Sequence, residues 1–200
     1  MKEELERILA QREKRYINDT ERVPAAVLVP LYQKQGQYYI VFIKRTEKVK
    51  DHKGQISFPG GARDNDDQTL LHTAVRESRE EIGLQAEDIE VIGELDDERT
   101  TTSNYTVTPF VAVIPWPYRF RENTDEVAGI LEVPIVELMK NGRVSENDEI
   151  LNGRPIESYT YDYRGNTIWG ATARIVKKLL DIIGGIKDEK DKIRRPGRNP

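Results

Sequence analysis

Three glutamates in the segment Arg76–Gly83 set the strictest condition on how this chain can pack. Leu71, Ala74, Val75, Ser78 and Ile82 recur at helical spacing, so Gln68–Ile82 reads as a helix with one side turned to a core and Gly83 just past its end. Glu77, Glu80 and Glu81 stand at i, i+3 and i+4, which at about 100° per residue confines them to an arc of roughly 100° beside the apolar side. Each like-charged i,i+4 pair costs roughly 0.3 kcal/mol. A divalent cation would offset that repulsion, and oxygen ligands without histidine or thiolate favour a hard ion such as Mg²⁺ or Mn²⁺, which shares a substrate's phosphate oxygens. Phosphoryl or pyrophosphoryl hydrolysis is the chemistry such a patch serves. Arg76, four residues before Glu80, is placed to hold that carboxylate by a salt bridge. Glutamates flanked by arginine also occur on any solvated helix face. The distinguishing feature lies upstream, at Pro59-Gly60-Gly61, where glycine lets the backbone approach a phosphate or cation and a Gly60 or Gly61 carbonyl adds an oxygen ligand.

Around this unit the chain alternates short apolar runs and turns. Ala25–Tyr32 and Tyr38–Ile43, separated by a segment containing Gly36, predict a hairpin, and Gln55–Phe58, Ile89–Leu95, Val107–Ile114 and Glu157–Tyr163 predict further strands. Pro109, Pro115 and Pro117 limit the strand Val107–Ile114. Leu5–Ile17 reads as an N-terminal amphipathic helix ending near Asn18-Asp19, Pro134–Met139 as a short helix, and Gly170–Ile183 as a longer one stopped by Gly184-Gly185. Strands with interspersed helices, but without strict βαβ alternation, predict an α/β fold of the α+β kind, an α/β/α sandwich around a mixed β-sheet. Residues 1–22 are expected as a helical appendage, 23–184 as the main domain, and 185–200 as a charged, disordered tail. Apolar positions on the N-terminal helix suit either docking on the same chain or a homodimer contact.

Composition excludes several functions. With 31 Lys and Arg against 35 Asp and Glu, the net charge is −4, so no global basic field exists for nucleic acid or an anionic membrane. The chain has no cysteine, and its two histidines, His52 and His72, cannot build a multi-histidine cage. No leader-like apolar segment opens the sequence, and a cytoplasmic location is expected. Against the acidic balance, Lys44, Arg45, Lys48, Lys50 and Lys53 place five cations in ten residues, the local concentration an anionic ligand needs.

Gly61, an acidic position, and Arg76-Glu77-x-x-Glu80-Glu81-x-Gly83-Leu84 together resemble the Nudix box, the signature of metal-dependent hydrolases of nucleoside diphosphates linked to another moiety. Fourteen residues separate Gly61 from Arg76, one more than the general consensus. Counting forward from Gly61 puts the acidic position on Asp67; counting back from Arg76 puts it on Gln68. A branch resembling coenzyme A pyrophosphatases shares the extra residue. That branch also shares an upstream pattern, seen here as Phe42-Ile43-Lys44-Arg45-Thr46, Lys50, Gly54 and Phe58-Pro59-Gly60-Gly61, with Lys50 in place of the usual arginine. Leu95-Asp96-Asp97, Thr100, Ser103, Tyr105, Val107-Thr108-Pro109 and Ile168–Arg174 are similar to that branch as well, so the resemblance runs from Val23 to Leu180.

The resemblance implies that Glu77, Glu80, Glu81 and the Gly61 carbonyl hold Mg²⁺ or Mn²⁺, and that Arg76 supports the glutamates. It also implies a glutamate outside the helix as base, for which Glu126 is the candidate. Arg45, Lys50, His52, Gly54 and Gly60 are the expected substrate-binding positions. The implied substrate is coenzyme A or a derivative, cleaved to 3′,5′-adenosine bisphosphate and 4′-phosphopantetheine. ADP-ribose or a dinucleotide is the alternative substrate, and a nucleotide-sensing module without turnover is the non-enzymatic alternative. Tyr105 and Trp169 suit either buried packing or stacking on adenine.

Overall fold

A computed structural model describes residues 1–48, 54–144, 149–151 and 153–194. Its organising element is a hairpin that closes only at its tip. β1 (Val23–Lys34) and β2 (Gln37–Arg45) are joined through Gln35 and Gly36, both at positive φ, and pair from Lys34↔Gln37 to Leu31↔Ile40. Beyond that point the two strands splay and the segment from Gln55 to Ala62 fills the gap. Its first half, β3 (Ile56–Ser57), pairs with β2, and its second half, β4 (Gly60–Ala62), pairs with β1. Bonds from Arg45 N–H to the Gln55 carbonyl and from Leu28 N–H to the Pro59 carbonyl, both 2.9 Å, seal the two seams. Gly60 sits at φ 151°, and a Cβ there would lie 2.3 Å from the Ala26 carbonyl oxygen, so only glycine lets this wedge seat against β1.

The remaining strands extend the wedge into an eight-stranded mixed sheet. β5 (Glu90–Glu94) and β6 (Glu98–Arg99) pair antiparallel with β7 (Tyr105–Val113), β7 runs parallel to β1, and β8 (Val127–Pro134) pairs with β2. Pro109 occupies the interior of β7 without loss because its carbonyl faces the gap between β5 and β6, accepting from Leu95 N–H, and a missing amide on that edge leaves no ladder bond unmade. Side chains alternate across the sheet. Ala26, Leu28, Val41, Ile43, Phe110 and Ala112 pack beneath α2 (Leu70–Ile82). Val29, Leu31, Ile40, Phe42 and Val111 face the other way, sharing a core with α1 (Lys2–Gln11), α3 (Ile135–Asn141) and α4 (Gly170–Arg194). The result is the expected α/β/α sandwich. Small strands complete it: β9 (Gly142–Val144), β12 (Tyr159–Tyr163) and β13 (Asn166–Ile168) form one sheet, and β10 (Glu149–Leu151) and β11 (Arg154–Ile156) form a pair.

Two local expectations are corrected, and one strand was not foreseen. The first helix ends at Gln11 rather than near Asn18, and it buries Leu5 and Leu9 in the core with α4, so these positions serve docking on the same chain. After it the backbone runs extended, tied down by Asp96, which accepts from Arg12 and Arg15, and by Asp97, which accepts from Ile17 N–H. Strand β8 escapes a pattern reading because Gly129 and Glu132 interrupt its apolar alternation. Finally, α4 passes through Gly184-Gly185 to Arg194 instead of stopping there. Two interior glycines cost about 1 kcal/mol each, and the burial of Ile183 and Ile186 on the same face offsets that cost. No helix among the described residues is long and apolar enough to cross a membrane.

The continuous helix makes a prediction. Nothing lies within 4 Å of a Cβ built on Gly185. Gly185→Ala should therefore raise stability by about 0.5–1 kcal/mol and Tm by about 2 °C in a thermal melt. An unchanged or lowered Tm would place a helix end at the glycine pair.

Candidate active site

Helix α2 aims its carboxylates because both of its ends are defined. Thr69 caps its start, accepting from His72 N–H at 3.2 Å, and Gly83 ends it in the left-handed conformation. The helix lies across β1 and β4, so its acidic edge faces the glycine wedge. Glu81 is 1 % exposed and accepts from Gly60 N–H at 2.9 Å, while its other oxygen stands 3.4 Å from Nη1 of Arg45. Burial pushes its carboxyl up to about 8 against the pull of these two donors, and the nearby charges of Glu77 and Glu126 push the same way. The Glu77 carboxylate occupies the space a side chain at Gly61 would need: a Cβ there would be 2.5 Å from Oε1. Burial raises the Glu77 carboxyl also, with Arg76 opposing.

Arg76 organises the outer side of this edge. It forms a two-point pair with Asp67 (Nε to Oδ1 3.1 Å, Nη2 to Oδ2 2.9 Å) and donates from Nη1 to Glu77 at 2.8 Å and to Glu80 at 3.1 Å. Asp67 is buried and accepts as well from Asp64 N–H and the Thr73 hydroxyl, both at 2.9 Å. The Arg76 guanidinium holds its carboxyl well below the usual carboxylate range. The ambiguous acidic position of the motif is therefore Asp67, since Gln68 is exposed and contributes only its carbonyl, to Arg63.

The carboxylates open onto a cleft of about 380 Å³. Arg45, Gly60, Gly61, Glu77, Glu81 and Glu126 all line it, so six of the sequence-derived positions meet in one place. Arg76 and Glu80 lie outside the lining; Glu80 is half-exposed and turned to Arg76. Gly54, at φ 66°, sits beside the Glu47 carboxylate and also outside the lining. Lys50, His52 and Lys53 fall outside the described residues. Lys44 reaches Asn166 and Lys48 reaches Asp125, both at 3.4 Å. Within the cleft, Arg45 Nε and Ser57 Oγ are buried without a hydrogen-bond partner, which is costly unless a ligand supplies one. A second wall consists of Thr100–Ser103, Tyr105 and Trp169–Thr172. Hydroxyl residues have no charge signature, so the only sequence signal for this wall is the family resemblance at Thr100, Ser103, Tyr105 and Ile168–Arg174. Trp169 is 39 % exposed, which sets aside buried packing for its ring.

Among the described residues no three His, Cys, Asp or Glu side chains form a metal-holding group; Glu77 and Glu80 share Nη1 of Arg76, and Glu80 lies outside the cleft lining. The donor set at the cleft nonetheless fits a hard divalent ion. Glu77 and Glu81 are cleft-lining carboxylates whose ionisation is suppressed by burial, and the missing side chain at Gly61 lets the Glu77 carboxylate lie against the backbone there. The Asp67–Arg76 pair fixes the outer side of this edge. A carboxyl lowered in the folded state stabilises above its unfolded pKa of about 4 and loses that contribution as pH falls. Asp67→Asn should accordingly cost about 2–4 kcal/mol in urea unfolding at pH 7. The gap to wild type should narrow at pH 3.

Comparison with known proteins agrees with this geometry. A family model described as NUDIX domain matches residues 22–152. An uncharacterized Nudix hydrolase, NudL, of Klebsiella pneumoniae subsp. pneumoniae is 36% identical over 160 residues, covering 80% of this chain and 82% of the relative. NudL of Yersinia pestis (strain Pestoides F) is 36% identical over 168 residues, covering 84% and 83%. Among solved structures, the Nudix hydrolase RenU of M. smegmatis superposes with a TM-score of 0.53 at 19% identity, covering 90% of this chain and 91% of that one. A MutT/nudix family protein from Enterococcus faecalis gives 0.56 at 15% identity, covering 88% and 66%. The structures speak for the fold and the sequence relatives for descent: with its glutamate-bearing helix set against a glycine wedge, this chain belongs to the Nudix hydrolase family and is a pyrophosphatase.

Proposed function

We propose that this enzyme hydrolyses the diphosphate of coenzyme A or its derivatives, with Mg²⁺ or Mn²⁺, to 3′,5′-adenosine bisphosphate and 4′-phosphopantetheine. The observation that carries the reaction is the convergence of Glu77, Glu81, Glu126 and Arg45 on the Gly60-Gly61 wedge within one cleft. The substrate rests on the upstream pattern Phe42–Thr46, Gly54 and Phe58–Gly61 and on the extra residue before Arg76, which resemble the coenzyme A branch. An acidic chain with local cations fits a small nucleotide better than nucleic acid or a membrane, and a cytoplasmic location goes with that reading.

Glu77, Glu81 and the Gly61 carbonyl would hold the cation, with Glu80 joining them by rotating its exposed side chain off Arg76. Bound there, the ion would neutralise the diphosphate and lower the pKa of a water. The chain's own groups do the rest. Arg45 offers its unpartnered Nε to a phosphate oxygen, and the Gly60 N–H keeps Glu81 aimed at the cleft. Arg76 holds the Glu77 carboxylate in its place beside Gly61. Glu126, at the cleft and unburdened by an arginine pair among the described residues, accepts the proton of the attacking water. Lys50 and His52 are proposed on sequence alone as further contacts to substrate phosphates, and Gly54 as a turn position of the same segment.

Two experiments test this reading. With coenzyme A and Mg²⁺, Glu81→Gln should lower kcat by at least about 10³-fold, because several kcal/mol of transition-state stabilisation are lost. Equal activity of variant and wild type would remove Glu81 from the reaction, and a panel in which ADP-ribose outpaces coenzyme A would change the substrate. The second experiment concerns charge. A carboxyl raised to about 8 in the folded chain costs nothing below its unfolded pKa of about 4.5, where both states are protonated, and destabilises increasingly as pH rises to 8. In EDTA, Glu81→Gln should therefore melt above wild type at pH 8 and with it at pH 4.5. Added Mg²⁺ at pH 8 should reverse the order.

A further inference from the structure

Arg174 is 7 % exposed, and no step above uses it. Projecting from α4, it donates from Nε to Glu98 Oε1 at 2.9 Å, from Nη2 to the Arg99 carbonyl at 2.8 Å, and from Nη1 to Glu149 Oε2. The same Glu149 oxygen accepts the Thr101 hydroxyl at 2.8 Å, and Lys178 neutralises the second oxygen of Glu98 at 2.7 Å. One guanidinium thus ties three distant stretches together: α4, the β6 strand with the loop that follows it, and β10. A buried pair of this kind contributes little net stability, since desolvation offsets most of the attraction, but it defines the relative placement of what it joins.

What it joins is the second wall of the cleft. Thr101 and Thr172 line the cleft, while Arg174 and Glu149 do not. Within that loop Thr100 N–H donates to the Tyr105 carbonyl and Tyr105 N–H to the Thr100 hydroxyl, at 3.1 and 3.0 Å, and Ser103 Oγ is buried with no partner. Arg45 is the only cation among the described lining residues, and it faces Glu81. The Thr100–Ser103 wall is therefore uncharged, with hydroxyls and the exposed Trp169 ring to offer, which suits a neutral hydroxyl-, amide- or ring-bearing part of a substrate rather than another phosphate.

We infer that Arg174 and Glu149 are positioning residues that clasp the Thr100–Ser103 loop against the first turn of α4 and so set the affinity for the uncharged portion of the substrate. The inference rests on the proposed hydrolysis for its kinetic part and on the ion pairs alone for its structural part. Glu149→Gln keeps the size of the side chain and removes its charge. In hydrogen exchange its Thr100 and Tyr105 amides should exchange about tenfold faster than in wild type while the amides of β2 keep their protection. With coenzyme A at saturating Mg²⁺, KM should rise about tenfold with kcat within about twofold, the pattern of lost binding common to ground and transition states. Thr101→Val should raise KM similarly, and the double variant should be no worse than either single one, because both act through one contact. Unchanged exchange in Glu149→Gln, or a fall in kcat at constant KM, overturns the clasp. If wild type hydrolyses neither coenzyme A, ADP-ribose nor diadenosine tetraphosphate, the proposed function fails, and the exchange comparison alone then upholds or overturns the clasp.

Discussion

The hydrogen bond from Gly60 N–H to the buried Glu81 carboxylate joins the two halves of this enzyme. On one side stands a sheet whose first two strands have parted to admit a short glycine-containing segment; on the other stands a helix with glutamates along one edge. Neither half defines a site alone. The wedge needs α2 above it, because Ala26, Leu28 and Ile43 on the flanking strands would otherwise be wet, and α2 needs the wedge, because Glu81 buried against any bulkier backbone would have no donor. The position of Glu81 is thus a by-product of packing, while its ionisation is kept in suspense by that same packing.

A second layer of charge surrounds this contact. Arg76 spreads its donors over Asp67, Glu77 and Glu80, and Asp67 is in turn held by Asp64 N–H and Thr73. The arginine is therefore a bracket between the loop before α2 and the reactive edge of α2. Of the three α2 glutamates, two line the cleft and Glu80 stands in reserve on Arg76, which distinguishes residues that share a helical arc from residues that share a cavity.

Much of this was legible in the residues themselves. Spacing located α2 to within two positions at its start, since Thr69 rather than Gln68 supplies the cap, and Gly83 marked its end. The Pro59-Gly60-Gly61 run was visible because glycine pairs have few structural reasons to precede an acidic helix. Other parts were not legible for definite reasons. Helical spacing foretold the Arg76–Glu80 pair, but it says nothing of Asp67 and Glu77, which the same guanidinium also holds and which lie at other spacings. Strand β8 has its pattern broken by Gly129 and Glu132, and α4 overrides its glycines through the burial of Ile186, an effect of tertiary packing that no local signal contains. The hydroxyl wall at Thr100–Ser103 depends on a loop conformation set by Arg174 and Glu149, which lie far from it in sequence.

The parted hairpin has a consequence during synthesis. Because β1 and β2 meet only near their turn, each emerges from the ribosome with a long stretch of open backbone edge, and β1 waits for its parallel neighbour until residue 113 has been made. Sheet assembly in this chain is therefore governed by distant pairings, which slows folding and exposes apolar strand edges in the interval. The gap that later receives the glycine wedge begins life as the part of the nascent protein most prone to mispair with its neighbours.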